Sequence, residues 1–367
     1  MAKLFFVPIE PFEERYSTQW LTWFKTVLGK TECFEDVVYI EPEPLTKDLS
    51  SGEFLDVVGT NHYKASQLRT LLAYIHANEL CDGDIIFLMD AWFPGMEMLA
   101  YARDGLQLNF KIAGCLHAGT WDKHDFLSQQ GMGSWAEDLE NSWFKILDLI
   151  FVATEFHKSL IRMNRIVQDP DKIKVTGFPI YEKDVTSLSL QPNDVDKKLQ
   201  VVFPHRLAPE KCPECFDNLR ELDAEKRGVA AGLEFLRTKD HYKATGKKGY
   251  YSALDSSLVA VSFAQQETWG IAMQEAVICG CLPLVPDRLS YSEMFLDEFK
   301  YSCDLAIADT KQKKEAEVSN AYVALCRLVS TPSTILLERW RVQKHLILSK
   351  GRMAIPLMIQ HMLQELT

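Results

Sequence analysis

The chain reads as an α/β protein with two domains, each a parallel sheet covered by helices on both faces. Three observations lead there. Its length of 367 residues is more than one domain of roughly 150 residues accommodates. Short runs that are apolar throughout alternate with amphipathic stretches, and strands of that kind belong to sheets buried on both faces. The alternation runs once through residues 1–180, breaks at a polar stretch over 181–198, and restarts at 199.

In the first half the spacing predicts strands at residues 4–9, 37–40, 84–90, 110–117, 148–154 and 172–176. Helices are expected at 18–28, where Trp, Leu and Phe form a stripe, at 62–77, and from Glu155 onward. The stretch 181–198 (EKDVTSLSLQPNDVDKK follows Tyr181) reads as an inter-domain linker. Its Asp194-Val-Asp196 is a D-x-D among solvated residues, whereas a metal-binding one should end an apolar strand. The second half predicts strands at 199–204, 233–238, 258–263, 281–285 and 305–307, and a helix starting near Gly270. The tail over 333–366 is helical in pattern, with a break at Gly351. The expected domains are therefore 1–180, 199–332 and a returning helical segment at 333–367.

Composition narrows the function. Apolar residues at 47% and charged residues at 25% exclude disorder and low complexity. With a net charge of −11, a protein that coats nucleic acid non-specifically is excluded; nucleic-acid contact would need a local basic patch. No apolar run approaches a membrane span, and the N-terminus reads as a first strand, not a signal peptide. Nine scattered cysteines point to reduced thiols in a cytoplasmic setting. Cys212 and Cys215 form a C-x-x-C, for which a redox or metal role is the lesser alternative.

Ligands of open parallel sheets bind at the carboxyl ends of the strands. Asp90, His117 and Thr154 fall at such ends. The most informative stretch is Gln266-Glu267-Thr268-Trp269-Gly270-Ile271, running on to Glu275 between two strands. A helix beginning at Gly270 would turn free N–H groups and a partial positive charge toward a diphosphate. Glu267 and Glu275, eight positions apart, would flank that anion and hold hydroxyls on either side. Arg206 and Lys211 leave the first strand of the second domain and match a leaving diphosphate, the Arg as a fork and the Lys as a point charge.

This ordered set, with His117 contributed by the first domain, resembles the retaining GT-B glycosyltransferases over nearly the whole chain. The resemblance implies two Rossmann-like domains facing each other across a cleft, with a C-terminal helix crossing back to the first. It implies that Glu267 contacts the transferred sugar and Glu275 the donor ribose. Gly270 and Ile271 would offer backbone N–H groups to the donor diphosphate, and Thr268 and Trp269 would also contact the donor. Arg206 and Lys211 would neutralise the diphosphate, and His117 would bind the sugar near the reacting carbon. The donor would be a nucleotide sugar, UDP-linked by expectation, with no cofactor and no essential metal.

Two narrower resemblances bear on the acceptor. EAVICGCLPLVPDRLSYSEMF is similar to the glycosyltransferases that mannosylate queuosine in tRNA. PIEPFEERYSTQW is similar to bacteriophage glycosyltransferases that decorate hydroxymethylated pyrimidines in DNA. The first acceptor expectation is thus a 5-hydroxymethylated pyrimidine in phage DNA, then a modified tRNA base, then a glycan or small molecule. Arg15, Tyr16, Asp90, Trp121 and Asp122 are the acceptor-binding candidates. Glu10, Glu13 and Glu14 belong to the same loop, read either as solvated or as lining the acceptor.

Competing readings stay open at several positions. Asp90 is a helix N-cap or an acceptor contact. Trp92 and Trp121 stack on a base or are buried. His205 packs beneath Arg206. Arg288 meets the donor or makes a loop salt bridge. Lys243, Lys247 and Lys248 form a solvated cluster or a phosphate contact. A nucleotide-sugar binding protein without turnover, or an epimerase or phosphorylase of similar fold, is the alternative function, and oligomeric state is left open.

Overall fold

The computed structural model describes all residues except 12–15, 45–55, 189–196, 228–232, 304–309 and 367, together with the side chains of 188 and 241–245. Residues of two units cluster separately: Met1–Pro179 with Arg352–Thr367, and Ile180–Gly351.

The first unit holds a six-stranded sheet in the order β2-β1-β3-β4-β5-β6. Its strands are β1 (Leu4–Val7), β2 (Val37–Tyr39), β3 (Ile85–Leu88), β4 (Lys111–Cys115), β5 (Leu149–Val152) and β6 (Ile173–Val175). Every pairing is parallel. The residues of β1, β3 and β5 are all buried, which is why their sequences carry no polar alternation. The helix Ser17–Leu28 covers one face with Trp20, Trp23, Phe24 and Leu28. Expected helix 62–77 is the longer Val57–His76, capped by the Asp56 carboxylate, which accepts from the Val58 N–H.

The second unit repeats the plan with a five-stranded sheet in the order β11-β10-β9-β7-β8. Its strands are β7 (Lys198–Phe203), β8 (Glu234–Arg237), β9 (Ser257–Val261), β10 (Leu282–Pro286) and β11 (Lys300–Tyr301), again all parallel. The strand expected at 305–307 lies outside the described residues. In both sheets the strand order reverses next to the first strand, between β1 and β3 and between β7 and β9. These are the switch points where loops diverge and open α/β sheets take ligands.

Two expectations about the connections are corrected. The stretch 181–198 is not a plain linker: it begins with the helix Glu182–Leu188, whose Val185 is fully buried and whose Glu182 pairs with Lys344 at 2.7 Å. Asp194 and Asp196 lie outside the described residues. The tail does not break at Gly351; one helix runs from Ser333 to Glu365. Gly351 is there for packing. A Cβ at that position would stand 2.4 Å from Ile180 Cγ2 and 2.8 Å from the Ile180 carbonyl oxygen. Beyond it the helix belongs to the first unit, where Met358 is buried with its sulfur 3.8 Å from Cys115 Sγ. No described helix is long and apolar enough to cross a membrane.

Candidate functional site

In the second unit the site grows from the loops after β7 and β9, on either side of the switch point. The strands carry the chain to Phe203 and Val261, and buried polar residues, His205 and Ser262, follow within two positions. His205 is buried with Nε2 2.8 Å from Ser262 Oγ, which in turn lies 3.1 Å from the Tyr291 hydroxyl. Burial, seconded by Lys211, pushes His205 down to about 3, so its ring is neutral.

Lys211 ends the short turn Pro209–Lys211 and is buried. Its ammonium donates to the Gln266 carbonyl and lies 3.2 Å from Glu267 Oε2. The other Glu267 oxygen accepts from three consecutive backbone N–H groups: Gly270 at 2.8 Å, Thr268 at 3.2 Å and Trp269 at 3.3 Å. Burial works to raise this carboxyl; Lys211 and the Gly270 N–H outweigh it and hold Glu267 below the usual range. Arg206 is half-buried and forks onto Glu210.

The helix Ile271–Ile278 starts at Gly270, which has φ 70° and ψ 40°. Its first helical bond runs from the Gln274 N–H to the Gly270 carbonyl, so the N–H groups of Ile271 to Met273 have no acceptor within the helix. Glu275, buried on this helix, accepts from the Tyr251 hydroxyl at 2.6 Å and the Tyr250 hydroxyl at 2.9 Å. Burial raises its carboxyl above the usual range, against the opposing charge of Lys247.

In the first unit the corresponding loops follow β1, β3 and β4. His117 is ringed by Tyr16, Trp20 and Phe178, with centroids 5.7, 5.1 and 5.0 Å away. Its Nε2 is 2.8 Å from the Met89 carbonyl, which can only accept, so Nε2 carries the proton. Nδ1, 3.2 Å from the Tyr16 hydroxyl, is then the acceptor in the neutral ring. Asp90 pairs with the buried Lys64 at 2.7 Å and accepts from the Trp92 N–H at 3.1 Å. Burial works against its charge, and Lys64 with help from His117 holds it below the ordinary range.

No family model matches the chain. An alignment of 149 positions that covers 35% of this chain is 25% identical to the tRNA-queuosine alpha-mannosyltransferase of Drosophila melanogaster. The match spans 39% of that protein's length. Solved structures are similar over almost the whole chain, among them the following two. A UDP-forming alpha,alpha-trehalose-phosphate synthase from Burkholderia vietnamiensis superposes with a TM-score of 0.62 at 12% identity, covering 100% of this chain and 98% of that one. A sucrose-phosphate synthase from Thermosynechococcus elongatus gives 0.56 at 12% identity, covering 98% of this chain and 100% of that one. The chain has the GT-B fold.

Arg206, Lys211, Glu267, Ile271 and Glu275 lie on the loops after β7 and β9 and the helix that follows, with Lys211 on Glu267, and Tyr16, Asp90 and His117 lie in the loops of the first unit, with Tyr16 on His117. Other expected roles are corrected. The Gly270 N–H, expected on a diphosphate, donates to Glu267 Oε1, as do the N–H groups of Thr268 and Trp269. Trp121 is 4% exposed and packs on Phe144 and His157, so it offers no face for stacking on a base. Asp122 is buried in a turn and accepts from the His124 N–H at 2.9 Å. Asp90 is not a helix cap, since Gly95 precedes the next helix, Met96–Gly105. Trp92 donates its ring N–H to Glu140 at 2.9 Å. Arg288 is buried in a two-pronged pair with Glu317, at 2.8 and 2.9 Å, which settles it as a salt bridge. Arg15, Glu13 and Glu14 lie outside the described residues, as does the side chain of Lys243; Lys248 is exposed.

Sequence reasoning missed Lys64, Glu210, Tyr250, Tyr251 and Tyr291. Only the tyrosine pair carried a local signal: it lies one residue beyond the Lys247–Lys248 cluster, in the helix Thr238–Ser256 that kinks at Gly246. Among the described residues no group of three metal-ligating side chains comes together, and the cysteines are free thiols, with Cys212 and Cys215 both buried.

Proposed function

We propose that the protein is a retaining glycosyltransferase that takes a sugar from a nucleoside-diphosphate donor and delivers it to a hydroxyl on a modified base in tRNA. The observation that carries the reading is Lys211 held on Glu267, whose other oxygen takes the Gly270 N–H at the start of the helix Ile271–Ile278, with a second cation, Arg206, on the same loop after β7. That arrangement suits a group whose negative charge grows as it leaves.

In this reading the second unit holds the donor. Lys211, already fixed against Gln266 and Glu267, is a pre-positioned cation for the departing diphosphate. Arg206 exchanges Glu210 for a phosphate oxygen, and the N–H groups from Ile271 onward complete the cradle. Each Glu275 oxygen keeps a second lone pair beyond its tyrosine, enough to accept a ribose hydroxyl. Glu267 Oε2 faces the sugar. The first unit holds the acceptor near His117, Tyr16 and Asp90. UDP is the favoured nucleotide because the trehalose-phosphate synthase is UDP-forming by name. A tRNA acceptor stands first because the curated relative acts on tRNA-queuosine by name; the hydroxymethylated pyrimidine of DNA, suggested by PIEPFEERYSTQW, comes second. No metal and no membrane enter the proposal, and its setting is the cytoplasm.

The test is mass spectrometry of nucleosides from bulk tRNA and from hydroxymethylated DNA, each incubated with the protein and a pool of UDP- and GDP-sugars. A gain of one sugar on a tRNA nucleoside is expected; a gain on the DNA nucleoside alone would replace the acceptor. Nucleotide release at equal rates from wild type and an Arg206→Ala, Lys211→Ala double variant would overturn the assignment.

A further inference from the structure

At the switch point of the first unit, β1 and β3 lie side by side with Val7 opposite Leu88. The segments leaving them carry two acidic residues, Glu10 and Asp90. Their surroundings differ. Asp90 has its counter-charge in Lys64 at 2.7 Å. Glu10 is 1% exposed, its Oε1 is buried with no hydrogen-bond donor, and no cation among the described residues pairs with it.

The helix Val57–His76 packs over this point and brings three buried donors, all of them spent elsewhere. Tyr63 donates its hydroxyl to the Ile9 carbonyl at 3.4 Å, Lys64 goes to Asp90 and the Trp92 carbonyl, and Gln67 donates to the Pro8 carbonyl at 2.8 Å. Glu10 is close enough for its charge to push the Tyr63 hydroxyl up, behind the larger effect of burial. A carboxylate removed from water without a donor is costly to keep. It sits where open α/β sheets take ligands.

We propose that Glu10 is a binding residue for a protonated amine on the acceptor. The inference rests on the reading of the first unit as the acceptor side and names the chemistry that side accepts. An ammonium supplies both the missing donor and the missing positive charge. A phosphate is repelled by Glu10, so a nucleic-acid acceptor places a base substituent here and not its backbone.

The test is equilibrium binding to the full chain, without donor, of 5-aminomethyluridine, its N-acetyl derivative and 5-hydroxymethyluridine. Wild type is expected to bind the amine at least about tenfold more tightly than either neutral nucleoside, the worth of one charge-assisted hydrogen bond. Glu10→Gln keeps the shape, removes the buried charge and abolishes the preference, with thermal denaturation confirming the fold. Glu10→Asp retains part of it. Equal binding of the three nucleosides by wild type, or a preference that survives Glu10→Gln, overturns the proposal. Because no sugar transfer is read, this outcome and the fate of the glycosyltransferase reading are independent.

Discussion

Lys211 and Glu267, 56 residues apart in sequence, meet at 3.2 Å, and the same ammonium donates to the carbonyl of the residue preceding that glutamate. One cation thus fixes both the backbone and the side chain of the loop that leads into the helix Ile271–Ile278. The loop's shape and the charge available for a leaving group depend on one residue.

Lys211→Met should therefore cost more than activity. It strands a largely buried carboxylate, and breaking such a pair costs on the order of 3 kcal/mol. Urea denaturation would measure it, and adding Glu267→Gln should restore part of the loss. The acid response has a definite sign. Glu267 is held below its ordinary value of 4.5, so its stabilisation is complete above that value and fades as pH falls through the lower folded one. In Lys211→Met that fading should be reduced; an unchanged acid profile would show that Lys211 does not hold the carboxylate charged.

Gly270→Ala tests the start of the same helix. The position has φ 70°, and a Cβ there would come 2.8 Å from Tyr291 Cε1. Left-handed strain alone costs roughly 1–2 kcal/mol. Displacing Tyr291 also disturbs its contact with Ser262, and through it His205. Stability should fall by about 2 kcal/mol, and the Kd for UDP should rise in calorimetric titration. A variant with wild-type stability would mean that the turn re-forms without its glycine.

His157 offers a pH test in the first unit. It is fully buried, neither ring nitrogen has a hydrogen-bond partner among the described residues, and burial, seconded by His117, drives it down to about 3. Its unfolded value is near 6.5. Folding therefore excludes a proton that the unfolded chain binds, and stability is lost as pH falls from about 6.5 toward 3. Replacing it by Leu sacrifices no side-chain hydrogen bond and removes this penalty. Between neutral pH and pH 5 the variant should gain ~2 kcal/mol relative to wild type in urea titrations. Parallel pH dependences would refute a buried neutral ring.

The strands were legible because burial on both faces leaves continuous apolar runs such as Leu4–Val7 and Leu149–Val152, bounded by polar residues. Glu267, Arg206 and Lys211 stand out in the sequence because they are charged residues that follow apolar strands, and Lys211 and Glu267 do meet. Backbone direction was not legible. Nothing in the letters shows that the N–H groups of Thr268 to Gly270 turn back onto Glu267. Pairings across long separations, such as Lys64 with Asp90, are equally silent, since any helix face carries a lysine. Trp121 looked like a stacking surface because sequence gives an aromatic ring without its depth.

Gly351 shows how packing overrides propensity. Glycine in a helix interior is about 1 kcal/mol worse than alanine, which suggests a break and makes Gly351→Ala look stabilising. The structure reverses the sign. The alanine Cβ would stand 2.4 Å from Ile180 Cγ2, 2.8 Å from its carbonyl oxygen and 2.9 Å from its nitrogen. Two of these are backbone atoms that no rotamer change removes. Overpacking of this kind costs roughly 1–3 kcal/mol and outweighs the propensity gain. Thermal denaturation of Gly351→Ala should show a lower midpoint, and an increase would mean that the helix and residue 180 are not in close contact.

Tyr250 and Tyr251 define the last expectation. Their hydroxyls approach the two oxygens of Glu275 at 2.9 and 2.6 Å, on a carboxyl that burial raises and these donors oppose. Removing a donor must raise it further. If the ionised Glu275 holds the donor ribose, each Tyr→Phe variant should weaken donor binding by about tenfold, the usual worth of a hydrogen bond to a charged group, while saturated turnover changes little. The acid limb of kcat/KM should move to higher pH in both, more for Tyr251→Phe, whose bond is the shorter. A tyrosine that only fills space would leave that limb where it is. Identical acid limbs in wild type and both variants would therefore remove the pair from the donor site, even if the variants were less stable.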